Sequence, residues 1–193
     1  TASSFNQPIN TDGDKWDVSG VGSLSATFAS TTSFNQDLNG WVVSNVTDMN
    51  SAFSGATSFN GNIASWDVSS VTTMRSTFLN CTNFNQNIGG WVVSNSTDMQ
   101  RMFKNAQNFN QDISSWDVNQ VADFTEFMFG NTALSTANYN KLLHYWEADD
   151  PLDSKLFHGG DATTDTSLGG VNGTEARQNL IDNHSWTITD GHS

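Results

Sequence analysis

Two groups of side chains in this 193-residue chain have the types and spacing for ligand chemistry, and both are rich in oxygen. The first is Asn10, Asp12, Asp14 and Asp17, in the run Asn10-Thr-Asp12-Gly-Asp14-Lys-Trp-Asp17. Oxygen ligands at alternate positions around a glycine are what a Ca2+ loop requires. The full twelve-residue loop closing on a bidentate Glu is missing, so bound Ca2+ stands beside the plainer reading of a solvated polar turn. The second group is Asp37, Asn39, Asn62, Asn87 and Asp112, interleaved with the small residues Ala64, Gly89 and Ser114. It makes a polar, mildly acidic strip, readable either as a ligand-binding face or as plain solvated surface. Asp149, Asp150, Asp153, Asp161 and Asp165 supply further carboxylates for Ca2+ or for ordinary loop charge.

Catalytic patterns are missing, and the expectation is a protein that is not an enzyme. His144, His158, His184 and His192 stand in no HExxH or HxH pattern and have no Cys partner, as a zinc site would need. There is neither a G-x-S-x-G elbow nor a phosphate-binding loop. The lone Cys81 allows no disulfide framework and takes a small-residue position held elsewhere by Thr31, Ala56 and Ala106.

What positions these residues is a repeat. FNQDLNGWVVSNVTDMNSAFSGATS (34–58) recurs as FNGNIASWDVSSVTTMRSTFLNCTN (59–83), FNQNIGGWVVSNSTDMQRMFKNAQN (84–108) and FNQDISSWDVNQVADFTEFMFGNTA (109–133). A looser copy starts at Phe5 and carries a four-residue insertion between Ile9 and Trp16. Trp16, Trp41, Trp66, Trp91 and Trp116 keep a step of 25 residues, as do Phe28, Phe53, Phe78, Phe103 and Met128. Units this short cannot bury an apolar face alone, so neighbours must share one core. The tryptophan column is expected in that core, with sugar stacking on exposed indoles as the alternative. Asn6, Asn35, Asn60, Asn85 and Asn110 follow the repeat Phe, either as a ladder of amides bonded to backbone or as a row of ligand-binding amides.

Within a unit, the β-branched stretch 38–43 predicts a strand. The apolar pair Met49 and Phe53 predicts one or two helical turns. After residue 133 the period stops. Residues 137–146 predict an amphipathic helix, 155–158 a short strand, and 186–189 a strand that pairs as the last coil. Asn172 followed by Glu175 predicts a capping box opening a helix to about residue 182. The fold expected is α/β: a leucine-rich-repeat-like right-handed solenoid with a parallel sheet, five 25-residue coils over 1–133 and an α/β C-terminal cap over 134–193. The whole chain is expected to form one domain.

The unit FNQDLNGWVVSNVTDMNSAFSGATSFN resembles the BspA-like leucine-rich-repeat surface proteins over residues 5–133. The resemblance continues through LSTANYNKLLHYW (134–146) and ARQNLIDNHSWTITDG (176–191). It implies a secreted or surface-displayed module for adhesion or ligand contact, and carries over no catalytic or binding residue.

Charge narrows the partners. Seven Lys and Arg stand against twenty Asp and Glu, a net charge of −13. Such a surface repels nucleic acid and anionic membranes, and no apolar run approaches a membrane span. The chain starts inside a repeat, without an initiating Met, and reads as a monomeric piece of a longer protein. Its expected place is extracellular or on the cell surface, and its expected partner a surface protein or glycan of a host or neighbouring cell. The competing reading is a structural spacer with no ligand of its own. A binder should present a concentrated, non-repeating site; a spacer should look alike along its length.

Overall fold

The computed structural model describes residues 2–9, 16–149, 153–166 and 172–191. It overturns the expected leucine-rich-repeat solenoid. Named elements among the described residues are two helices and two strands, all after residue 134: α1 (Thr136–Ala148), β1 (Leu156–His158), α2 (Gly173–Asp182) and β2 (Thr187–Thr189). Among the described residues the sheet is the parallel pair β1–β2, with Phe157 opposite Ile188. The repeats contain turns and isolated parallel bridges, Ser23 to Asp48, Asp48 to Thr73, Thr73 to Asp98 and Asp98 to Asp123.

The reasons lie in the backbone. Residues 38–43 do not extend as a strand, because the Trp41 N–H donates to the Leu38 carbonyl at 2.9 Å and folds the stretch into a turn. The stretch 47–53 is not helical either. Its N–H groups point alternately out of the unit: Met49 donates to Thr73 O, Ser51 to Arg75 O, Phe53 to Thr77 O and Gly55 to Leu79 O. Between these, Ala52 donates to Met49 O and Ser54 to Ser51 O, closing successive reverse turns. Ser51 and Gly55 have φ of 57° and 73°, left-handed values that no right-handed helix accommodates. The equivalent pairs Ala26/Ser30, Ser76/Asn80, Arg101/Asn105 and Glu126/Gly130 repeat that geometry.

Packing follows the 25-residue register. Phe53 stacks on Phe59 at 4.2 Å between centroids and on Phe78 at 5.6 Å. Trp41, Trp66, Trp91 and Trp116 are 1–4 % exposed, and neighbouring indoles stack 6.4–6.5 Å apart. Each also needs a partner for its indole N–H. Trp66 Nε1 donates to Leu38 O, Trp91 to Ile63 O and Trp116 to Ile88 O, each across to the preceding unit. Trp16 departs from the column and is 57 % exposed. The asparagines form a ladder: the N–H groups of Asn35, Asn60, Asn85 and Asn110 donate to the amide oxygens of Asn6, Asn35, Asn60 and Asn85. Cys81 is fully buried with its thiol donating to Phe53 O, and burial pushes its pKa far above the usual thiol range.

The C-terminal elements close over the last unit. The helix expected over 137–146 lies within α1, whose N-cap Ser135 accepts from Asn138 N. Asn172 caps α2 by accepting from Glu175 N at 3.0 Å. β1, rather than residues 186–189, lies against the repeats: Met128 N donates to His158 O, and Glu126 N to His158 Nδ1. Tyr139 and Arg177 both bond the buried carboxylate of Asp190, tying α1, α2 and the end of β2 together. Among the described residues no helix is long and apolar enough to cross a membrane.

Two stability predictions follow from this geometry. Ser51→Val places a β-branched residue at positive φ and should cost about 1–2 kcal/mol, whereas Ser51→Gly should cost nothing. Urea melts of the two variants check this, and equal melts would remove the strain argument. The second concerns pH. Burial lowers the His158 pKa below its ordinary value of 6.5; Glu126 opposes this and Lys104 reinforces it. The unfolded chain therefore binds this proton first, and stability should fall as pH drops from about 7 towards 5. His158→Gln keeps an acceptor for Glu126 N and should flatten that decline in thermal melts.

Candidate functional site

The repeated surface is interrupted where units four and five (84–108 and 109–133) meet α1. Two concavities lie there and share Ser115. One, of about 250 Å³, is lined by Asp112, Ser114, Ser115, Lys141 and Tyr145. The other, of about 340 Å³, is bordered by Gly89, Gly90, Trp91, Val92 and Asp117 among others. Enclosed small-molecule clefts run roughly 300–1,000 Å³. These two therefore suit an extended ligand laid across both better than a compact one enclosed in either.

Glycines open the groove. At the two positions held by Asn39-Gly40, Ala64-Ser65 and Ser114-Ser115 in other units, this unit has Gly89-Gly90. A Cβ on Gly89 would collide with the Asp112 carbonyl, so the close approach of the two units requires glycine there. A Cβ on Gly90 would meet nothing within 4 Å, so that position simply leaves backbone open to the groove. Val92 (57 % exposed) and Tyr145 (48 % exposed) give apolar surface at opposite ends.

Polar groups in the groove are held in place. Lys141 and Tyr145 stand four residues apart on α1 and so share a face. Lys141 Nζ is 2.9 Å from Asp112 Oδ2, while Asp112 Oδ1 accepts from the Ser114 hydroxyl at 2.7 Å and the Ser114 N–H at 3.1 Å. Burial raises the Asp112 pKa, but the hydrogen bonds from Ser114 and Lys141 outweigh it and hold the carboxyl below the usual range. The same pair raises the Lys141 pKa, first through its hydrogen bond to Asp112. Ser115 Oγ donates to Gly89 O, fixing the floor between the two units. Asp117 accepts from Asn119 N. The arrangement offers fixed donors and acceptors beside apolar surface.

Of the strip residues read from the sequence, Gly89, Asp112 and Ser114 line this groove. Asn87 is next to it in sequence terms, and its amide oxygen accepts from Gly89 N. Asp37, Asn39 and Asn62 lie in earlier units and serve backbone: Asp37 accepts from Asn62 N, Asn39 from Ser65 N, and Asn62 from Ala64 N. Lys141, Tyr145, Ser115 and Val92 were not foreseen; the Gly89-Gly90 pair was the available signal. Of the proposed Ca2+ ligands, Asn10, Asp12 and Asp14 lie outside the described residues, as does Asp150 of the later acidic group. Asp17 accepts from Ser19 N, and hydrogen bonds from Ser19 lower its pKa. Among the described residues no three His, Cys, Asp or Glu side chains converge as a metal site.

Comparison with known proteins adds a family. The family model described as "Mycoplasma protein of unknown function, DUF285" matches residues 1–72 and again 39–146. No curated protein matches the chain, and no solved structure does. The two family matches together run through every repeat, the groove and nearly all of α1, so the chain belongs to the DUF285 family.

Proposed function

We propose that this chain is a non-enzymatic, extracellular ligand-binding module of a BspA-like surface protein, and that its site is the groove from Gly90 to Tyr145. One observation carries the reading: the groove is a local departure from the repeat, beside a helix that lies outside it. Gly90 leaves it open, and Lys141 and Tyr145 reach it from outside the repeat. A spacer has no need of such a break.

The chemistry favours a neutral glycan. The Tyr145 ring offers a face on which the C–H side of a sugar can pack. Asp112, Asp117 and Lys141 offer charged hydrogen-bonding groups, of which Asp112 and Lys141 are already positioned by each other. Preorganised groups lose little entropy on binding. With a net charge of −13, the molecule repels acidic ligands at a distance.

Glycan and peptide arrays probed with the purified protein test this. Wild type should bind neutral glycans, and both Tyr145→Ala and Gly90→Trp should lose the signal. Both positions are exposed, and Gly90 has open space, so melting should change by no more than about 0.5 kcal/mol. Binding that survives both variants would move the site elsewhere. A blank on every array would favour the spacer.

A further inference from the structure

The units also differ from one another in a regular way. Directly after the column tryptophan they carry Asp17, Val42, Asp67, Val92 and Asp117, a strict alternation. Directly before it, Gly40 and Gly90 alternate with Ser65 and Ser115. The two kinds of unit close their surface turn by different bonds. Asp17, Asp67 and Asp117 each accept from the N–H two residues on, that of Ser19, Ser69 or Asn119. A valine has no oxygen to offer. In those units Asn45 and Asn95 donate instead to the carbonyls of Ser19 and Ser69 in the preceding unit, at 2.7 Å.

Folding does not require the valines. Val42 and Val92 are 55 % and 57 % exposed, so they add little to the core. Asp is accepted at the same register position in the other units. What valine supplies is apolar surface beside the carboxylate of the following unit. At Val92 that surface borders the 340 Å³ concavity of the groove, together with Gly90, Ser115 and Asp117. The same four residue types recur in register 50 residues earlier as Val42, Gly40, Ser65 and Asp67, and all four are exposed. The floor is tied in the same way: Ser65 Oγ donates to Asn39 O at 3.0 Å, as Ser115 Oγ does to Gly89 O at 2.8 Å. Beneath, Trp41, Trp66 and Trp91 stack at 6.4 and 6.5 Å with their planes 8° and 4° apart, so the two places face the same way.

We propose, on the reading that the groove binds a neutral glycan, that Gly40, Val42, Ser65 and Asp67 form a second site for the same ligand, and that one linear glycan runs along the units from Tyr145 to Val42. The alternation suits such a chain. Each valine offers a patch for the C–H face of a sugar, and each carboxylate accepts from its hydroxyls. Asp67 Oδ1 is held by the Ser69 N–H and hydroxyl, while Oδ2 takes no bond from the described residues. The carboxylate is therefore oriented before the ligand arrives. Lys141 and Tyr145 serve the first site alone. The second site is accordingly the weaker, and it acts by holding a chain already bound at the first, where a short oligomer gains nothing.

Neutral glycans printed on an array at increasing chain length, probed with the whole chain and its variants, test this. Val42→Asp and Val92→Asp each give a valine unit the residue its neighbours carry, so the melts should be unchanged. Wild type should bind long chains about 10-fold or more tighter than short ones. Val42→Asp should remove that gain and leave short-chain binding intact, whereas Val92→Asp should weaken both. Val42→Thr, of nearly the same size, reads the loss in the same direction should Val42→Asp lower the melt. A long-chain gain untouched by the Val42 variants, with binding still lost in Val92→Asp and Tyr145→Ala, would overturn the second site and leave the groove standing. A blank array, or binding indifferent to Val92→Asp and Tyr145→Ala, would remove the groove reading and the second site with it.

Discussion

The hydrogen bond from one unit's N–H to the carbonyl 24 residues further along holds this molecule together. Four such bonds join each pair of repeats, from Leu24 to Asp48 at the first junction and from Met99 to Asp123 at the last. They explain why the backbone turns left-handed twice in every unit, mostly at residues other than glycine. Ser51, Ser76, Arg101 and Glu126 each have φ between 55° and 59°. A residue there costs about 1–2 kcal/mol in isolation. Turning the chain at alternate residues aims one N–H at the next unit and the following one back into its own turn. Every N–H in the stretch is then satisfied, as buried backbone requires. A helix would satisfy the same groups internally and leave neighbouring units with only side chains in common.

The aromatic columns depend on that ladder. Once equivalent residues are locked opposite one another, Phe must lie on Phe and Trp on Trp, and centroid spacings repeat from unit to unit. The burial of Trp41 to Trp116 and Phe28 to Phe103 was therefore legible in the sequence, because a constant step of 25 is a statement about contact. Local conformation was not. Met49 and Phe53 are four apart, the mark of a helix, yet the same spacing arises when two turns of opposite hand follow one another. Glycine would have disclosed the left-handed positions, but Ser, Asn, Arg and Glu hold most of them. Stretch 38–43 has strand-forming residues and bends because Trp41 N finds Leu38 O. Propensity lost at 47–53 to bonds between units, which no local window contains, and at 38–43 to a turn closed inside the unit.

The site was partly legible for the same reason. Asp112 belongs to the repeat and could be placed on a face by register. Lys141 and Tyr145 belong to α1, whose position against unit five nothing in the period fixes. Asp37 and Asn62 hold the register position of Asp112, and Asn39 that of Ser114, but without a helix beside them Asp37 and Asn39 bond backbone of the following unit and Asn62 caps its own turn. One column of residues thus has two uses, and what divides them is the neighbour each meets.

Function in a repeat should be sought where the repetition fails, because uniform units can offer a ligand nothing that is not offered 25 residues away. This chain fails to repeat in two kinds of place. At Gly89-Gly90 and α1 the side chains change while the backbone ladder continues, which makes a shaped, chemically distinct groove on a rigid support. At Trp16 the side chain is kept while its surroundings change, and the ring stands exposed. A changed side chain on an intact ladder is suited to recognising something unlike the repeat.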